Sequence, residues 1–173
     1  FYRLRSSPGV GTILALVLVG ITGTNGKTTT TGLVRHLLNA AGTAGSIGTL
    51  GAFDGRGDAV LSTAGTLTTP GPIDLQATLA ALVERSVDRV TMEASSHSLD
   101  QGRLDGLRFA AGVFTNLTRD HLDYHGTMES YLAAKLKLGG MLTERGVEVV
   151  NLDDTAWAVL PASSRRVTFG LHP

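Results

Sequence analysis

Residues 19–32 read VGITGTNGKTTTTG, with glycines at Gly20, Gly23 and Gly26, one lysine at Lys27, and then four threonines. An apolar run stops where the glycines start. Backbone N–H groups converge where side chains are absent, and the start of a helix adds about half a positive charge. Such a loop suits an anion, and a lysine followed by a hydroxyl suits a polyphosphate and its metal. Lys27 would set a cation on the β- and γ-phosphates, and the Thr28 hydroxyl would hold magnesium. The pattern G-x-x-x-x-G-K-[ST] is not met in full, because its first glycine falls at Ile21 and Gly20 sits one residue early. The plain alternative is a tight strand-to-helix turn without a ligand.

Three further stretches carry polar groups in strand-end positions. In MEASSHSLDQGR, residues 92–103, Glu93 is a carboxylate at the end of an apolar run. Open α/β sheets place ligands there, and a hard cation finds oxygen ligands in such a group. Ser95, Ser96, His97, Gln101 and Arg103 supply polar groups just beyond. In TNLTRDHLDYHGTMESYLAAK, residues 115–135, Asn116, Asp120, His121, Asp123 and His125 crowd into ten residues. Lys135 follows four residues after Tyr131 and beside an apolar helical stripe. On its own it reads as a surface lysine whose stem snorkels. LTTPGPIDLQ, residues 67–76, places Thr68, Thr69 and Pro70 before a helix that opens at Pro72. A capped loop, structural histidines and a plain turn are the respective alternatives.

The elements that must hold these groups follow from hydrophobic pattern. Residues 13–22 form a continuous apolar run of strand length, as expected of a central parallel strand. Residues 27–41 predict a helix with Leu33, Val34, Leu37 and Leu38 at helical spacing and Gly42 as its stop. Residues 51–71 read as loop and 72–85 as helix. Strands are expected at 87–94, 109–116, 147–151 and 166–169. A helix is expected at 127–142, with Met128, Leu132 and Leu136 as its apolar stripe, and a short one at 153–160. Alternation of the two element types argues for an α/β fold with a mainly parallel sheet flanked by helices.

Composition bounds the rest. The chain has 173 residues, enough for one domain with a real core and short for two. Fifteen basic and fifteen acidic residues balance, so no global field points to nucleic acid or an anionic membrane. With no cysteine, disulfides, thiolate metal sites and cysteine nucleophiles are excluded, which fits a cytoplasmic protein. The apolar run at 13–21 is too short to cross a bilayer, which takes about 20 residues.

The loop Gly23-Thr24-Asn25-Gly26-Lys27-Thr28-Thr29 resembles the nucleotide loop of the Mur ligase superfamily, whose members spend ATP to make an amide bond. The Ser95–Gln101–Arg103 segment is similar to that of the branch adding the third peptide residue. The resemblance, over roughly residues 17–170, implies a P-loop α/β central domain using ATP and Mg2+. It implies nucleotide contacts from residues 23–29 and Asn116, with Asp120 nearby. It implies contacts from Thr68, Thr69, Ser95, Gln101 and Arg103 to UDP-N-acetylmuramoyl-L-alanyl-D-glutamate. Magnesium would be held by Thr28, Glu93, His121 and Lys135, the last as a carbamate. A diamino acid would be joined through an acyl phosphate. Where relatives place an asparagine before the two threonines, this chain has Leu67, and it lacks the aromatic residue they usually carry near Gly139. Residues 1–12 are expected to be lead-in and 13–173 the central domain, without the family's N-terminal and C-terminal domains. Two other readings stay open: a P-loop ATPase or kinase without ligase activity, and a truncated nucleotide-binding remnant.

Overall fold

The computed structural model describes residues 16–60, 67–163 and 165–171. The expected strand at 13–22 is seen there as β1, Val17–Thr22, its first three expected residues lying outside the described ones. It is the middle of a seven-stranded sheet ordered β3-β2-β4-β1-β5-β6-β7. The other strands are β2 (Ala44–Gly48), β3 (Gly51–Phe53), β4 (Arg89–Glu93), β5 (Phe109–Phe114), β6 (Leu142–Asn151) and β7 (Arg166–Phe169). All neighbours pair parallel except β2 and β3, which form an antiparallel hairpin.

Helix α1 (Lys27–Leu38) covers one face, where Val34 and Leu38 pack on Val19, Ile21 and Val113. Helices α2 (Pro72–Glu84) and α5 (Met128–Gly140) cover the other. There Leu75, Leu79, Leu82 and Leu138 join Leu18, Val90, Met92 and Phe109 in the main core. Alternate residues of β1 thus face opposite helices, which is why its run is apolar throughout. Two short helices, α3 (Ser96–Asp100) and α4 (Leu122–His125), follow β4 and β5. A 3-10 turn at Thr155–Val159, inside the expected short helix, is capped by Asp154, which accepts from the Ala156 amide.

Several expectations are corrected. Helix α1 stops at Leu38, three residues before Ala41 and ahead of Gly42. Asn39 ends it by donating from Nδ2 to the Arg35 and Ala44 carbonyls and accepting the Ala44 amide at 2.9 Å. Leu33 and Leu37 point outward, 59% and 69% exposed. Residues 51–53, read as loop, are β3, and the strand at 44–48 gave no signal because it is small and glycine-rich. Part of the 51–71 loop, residues 61–66, lies outside the described residues. In α5 the buried face is Tyr131, Ala134, Lys135 and Leu138, whereas Leu132 and Leu136 are only partly buried. Lys135 is therefore no snorkelling surface lysine: it is 1% exposed.

β1 has β4 on one side and β5 on the other, and the chain winds outward in both directions from there. Loops after β1, β4 and β5 part at their C-terminal ends and leave a crevice at this switch point.

Candidate functional site

The loop after β1 is shaped by two glycines. Gly23 has φ +147°, and a Cβ there would come within 1.9 Å of the Thr115 Oγ1; Gly26 has φ +81° and opens on empty space. Only glycine takes such conformations freely. The loop is braced from β5. The Thr24 amide donates to the Asn116 carbonyl at 2.7 Å, and the Asn116 side chain accepts the Asn25 amide while donating to the Asn25 carbonyl. Thr115 Oγ1 also donates to the Asn25 carbonyl at 2.9 Å. Asn116 thus holds the loop in shape. Thr24 Oγ1 accepts the Thr118 amide and donates to its carbonyl, so the Tyr131 hydroxyl, 3.2 Å away, is the donor in that pair. The first amides of α1, which start at Lys27, have no helical carbonyl before them.

Lys27 folds back, its Nζ donating to the Gly23 and Thr24 carbonyls at 3.0 and 2.8 Å. Lys135 Nζ donates to the same Gly23 carbonyl at 2.7 Å and lies 4.3 Å above the Tyr131 ring. Burial, and then the Lys27 charge, push its pKa down to about 7 against the pull of Asp120. This amine therefore gives up its proton far more readily than an ordinary lysine. Burial also lowers Lys27, although Glu93 and Asp120 oppose it.

Glu93 ends β4 and is 1% exposed. Its carboxylate accepts the Thr49 amide at 2.9 Å and the Thr49 hydroxyl at 3.2 Å. A side chain at Gly48 would strike it, at 2.2 Å from Oε1. Among the described residues it has no ion-pair partner in contact. A buried carboxylate so placed attracts a cation. His121 opens α4 with φ +51°, an uncommon conformation for a non-glycine residue, and its Nε2 lies 3.6 Å from Asp120. His97 packs 4.9 Å from His121 and 5.4 Å from His125. Burial first, and neighbouring positive charge after it, push His97 and His125 below the usual imidazole value.

One cavity of about 200 Å3 gathers much of what the sequence singled out. Lys27, Thr68, Ser95, Arg103, His121 and Lys135 line it, with Leu67, Ser96 and His97. Thr69 lies beneath, donating from Oγ1 to the Glu93 carbonyl at 2.8 Å, and its own carbonyl accepts from Arg103 at 3.2 Å. Gln101 is set back and holds Arg103 by its side chain at 2.8 Å. Thr28 and Glu93 line instead a second cavity of about 230 Å3, which His121 and Lys135 do not line. Thr29 is exposed on α1. Among the described residues no group of three histidines and acids converges on one point. Thr49, Thr118 and the Tyr131 hydroxyl were not legible as site residues. They carry no periodic signal, and only pairing across the crevice gives them a role.

Fold and site together define an α/β domain in which a glycine-rich loop joins the central strand to a helix beside a lysine-lined crevice. The Mur ligase middle domain model matches residues 21–172, and the chain belongs to that family. It is 53% identical over 139 residues to the UDP-N-acetylmuramoyl-L-alanyl-D-glutamate--2,6-diaminopimelate ligase of Synechococcus elongatus, covering 80% of this chain and 27% of that protein. With the ligase of the same name from Geobacter metallireducens it shares 47% over 165 residues, 90% of this chain and 32% of the relative. The chain thus spans about a third of such relatives. A solved structure of a ligase with this name superposes with TM-score 0.76 at 35% identity, over 91% of this chain and 32% of that one. The MurF ligase of Thermotoga maritima in complex with ADP, at 18% identity and TM-score 0.60 over 90% and 32%, shares the fold. Among the described residues no helix is long and apolar enough to cross a membrane.

Proposed function

We propose that this chain is the nucleotide-binding centre of an ATP- and magnesium-dependent ligase. That enzyme would join 2,6-diaminopimelate to UDP-N-acetylmuramoyl-L-alanyl-D-glutamate in peptidoglycan synthesis, in the cytoplasm. The observation that carries it is the meeting of a glycine-shaped phosphate loop with two lysines, Lys27 and buried Lys135, around one carbonyl in a cavity that Arg103 and Ser95 also line. The names of relatives about half identical to this chain support the substrate and the choice of diaminopimelate.

In this reading the loop amides of residues 23–29 and Lys27 hold the ATP phosphates. Lys27 leaves its two carbonyls to reach the γ-phosphate. Thr68, Ser95 and Arg103 hold the muramoyl-peptide with its free D-glutamate carboxylate toward the loop, while buried Thr69 and set-back Gln101, expected from the sequence to touch it, support Arg103 from behind. That carboxylate attacks the γ-phosphorus, ADP leaves, and an acyl phosphate remains. The amine of the diamino acid attacks the acyl carbon, phosphate leaves, and the amine proton is lost to solvent or a base. No protein nucleophile is needed, since positioning and charge neutralisation supply the rate.

Thr28 and Glu93, which share one cavity, are oxygen donors of the kind magnesium takes, and His121 lines the other cavity. Bound at that pair, magnesium would neutralise charge on the phosphates. An ammonium cannot ligate a metal. Neutral Lys135 can add to carbon dioxide, R-NH2 + CO2 giving R-NHCOO− and a proton, and the carbamate is an anion of the required kind. Burial of Lys135 supplies the neutral amine this step needs.

Calorimetric titration of the chain with Mg·ATP tests the reading. The expected result is binding that Lys27→Ala weakens roughly tenfold to a hundredfold, the worth of a charge-assisted contact. Equal heats from both proteins would remove the loop from the nucleotide site. Turnover of ATP indifferent to muramoyl-peptide in the longer ligase would favour an ATPase without ligase activity.

A further inference from the structure

Arg103 is oriented by a relay of hydrogen bonds whose direction is set at both ends by charge. Lys137 on α5 donates to Asp100 Oδ1 at 2.7 Å. The Tyr124 hydroxyl of α4 donates to the other oxygen, Oδ2, at 3.2 Å. Gln101 donates from Nε2 to the Tyr124 oxygen at 3.1 Å. Its Oε1 then accepts from Arg103, from Nε at 2.8 Å and from Nη2 as well. Arg103 Nη1 reaches the Thr69 carbonyl at 3.2 Å.

A tyrosine hydroxyl has one hydrogen. Because Asp100 takes it, the Tyr124 oxygen is left as acceptor only, and the Gln101 amide must turn its NH2 toward it. Oε1 is thereby aimed at the guanidinium. A flipped amide would set its oxygen against the Tyr124 lone pairs and its NH2 against Arg103, two repulsive contacts in place of two bonds. Neither Asp100 nor Lys137 lines the cavity, yet their charges decide which way the chain runs. The Tyr124 ring stays packed on His97, 4.2 Å between centroids, whether or not it carries the hydroxyl.

We propose that Tyr124 is a positioning residue that aims Arg103 into the cavity through Gln101, and so sets affinity for the acidic muramoyl-peptide. The inference rests on the proposed substrate only for the identity of what Arg103 holds.

Tyr124→Phe keeps the ring and removes the oxygen, and two measurements on the 15N-labelled chain test it. The first follows the Arg103 Nε–H signal, assigned by its loss in Arg103→Lys. In Tyr124→Phe this signal is expected to move toward that of free arginine and to exchange with water about threefold to tenfold faster. Backbone signals of β1 and β4 should not move, which reports an intact fold. The second titrates UDP-N-acetylmuramoyl-L-alanyl-D-glutamate. Tyr124→Phe is expected to weaken binding by about threefold to tenfold, and the double variant with Arg103→Ala to bind no worse than Arg103→Ala alone. An unmoved Arg103 signal, or losses that add in the double variant, would overturn the proposal. If the Arg103 signal responds but the unaltered chain takes up Mg·ATP and no muramoyl-peptide, the relay is upheld and the substrate assigned to Arg103 falls.

Discussion

Lys135 shows how one side chain acquires chemistry from its surroundings. Its sequence neighbours, Ala134 and Leu136, say nothing of a site. In the fold the residue is 1% exposed and its amine shares the Gly23 carbonyl with Lys27. Both the missing water and the second cation disfavour its charged form. The consequence for stability has a definite sign. Between the folded value of about 7 and the ordinary 10.5, the unfolded chain binds the proton that the folded chain releases. Stability therefore rises with pH across that window. Urea midpoints measured from pH 7 to 10 in carbon-dioxide-free buffer should climb, and Lys135→Met should flatten the climb. Parallel profiles for the two proteins would mean that the lysine is solvated after all.

Helix α5 brings that lysine to the loop, and it does so by lying very close to the sheet. Leu138, fully buried, occupies the space above Gly20 and Gly112. A Cβ on Gly20 would come within 2.8 Å of Leu138 Cδ1. At its other end Thr127 caps the helix by accepting the Ser130 amide at 3.2 Å. Between these anchors Tyr131 and Lys135 face inward by helical spacing alone. Leu138→Ala is expected to cost about 2–5 kcal/mol, the usual range for a leucine emptied from a core. A drop in the urea unfolding free energy below about 1 kcal/mol would mean that α5 does not depend on this contact.

At the scale of the molecule, the site and its support occupy opposite ends of the sheet. The crevice lies at the C-terminal ends of β1, β4 and β5, while Asp54 ties the far end together. Its carboxylate accepts from Arg85 at 2.9 Å and from the amides of Arg56 and Asp58. Burial raises its pKa, but the Arg85 bond and the two amide bonds outweigh that, and the group titrates below its ordinary value of 3.8. Lys137, by hydrogen bond and by charge, holds Asp100 down against burial. For such depressed carboxyls the stabilisation is present above the unfolded value and is lost as pH falls through the folded one. Urea midpoints should therefore fall between about pH 4 and pH 2, and Asp54→Asn should lessen the fall. An unchanged acid profile in that variant would remove Asp54 from the support.

The alternation of elements, the central strand, the glycine loop with Lys27 and Thr28, and the strand-end polar groups were all legible in the residue order. These are local facts: glycine placement, capping and apolar period act over a few residues. The residue order also carried the likeness to Mur ligases, since that rests on short motifs. Which face of α5 is buried followed from the packed fold, because Gly20 and Gly112, far away in the chain, make room for Leu138. The packed fold alone showed β2, whose small residues become a strand by pairing with β4, and β3, which pairs back on β2. It brought Lys135 to the Gly23 carbonyl across 112 residues, and Thr24 to Tyr131 across 107. A short-range pattern cannot encode such meetings, for they depend on how the whole sheet is wound.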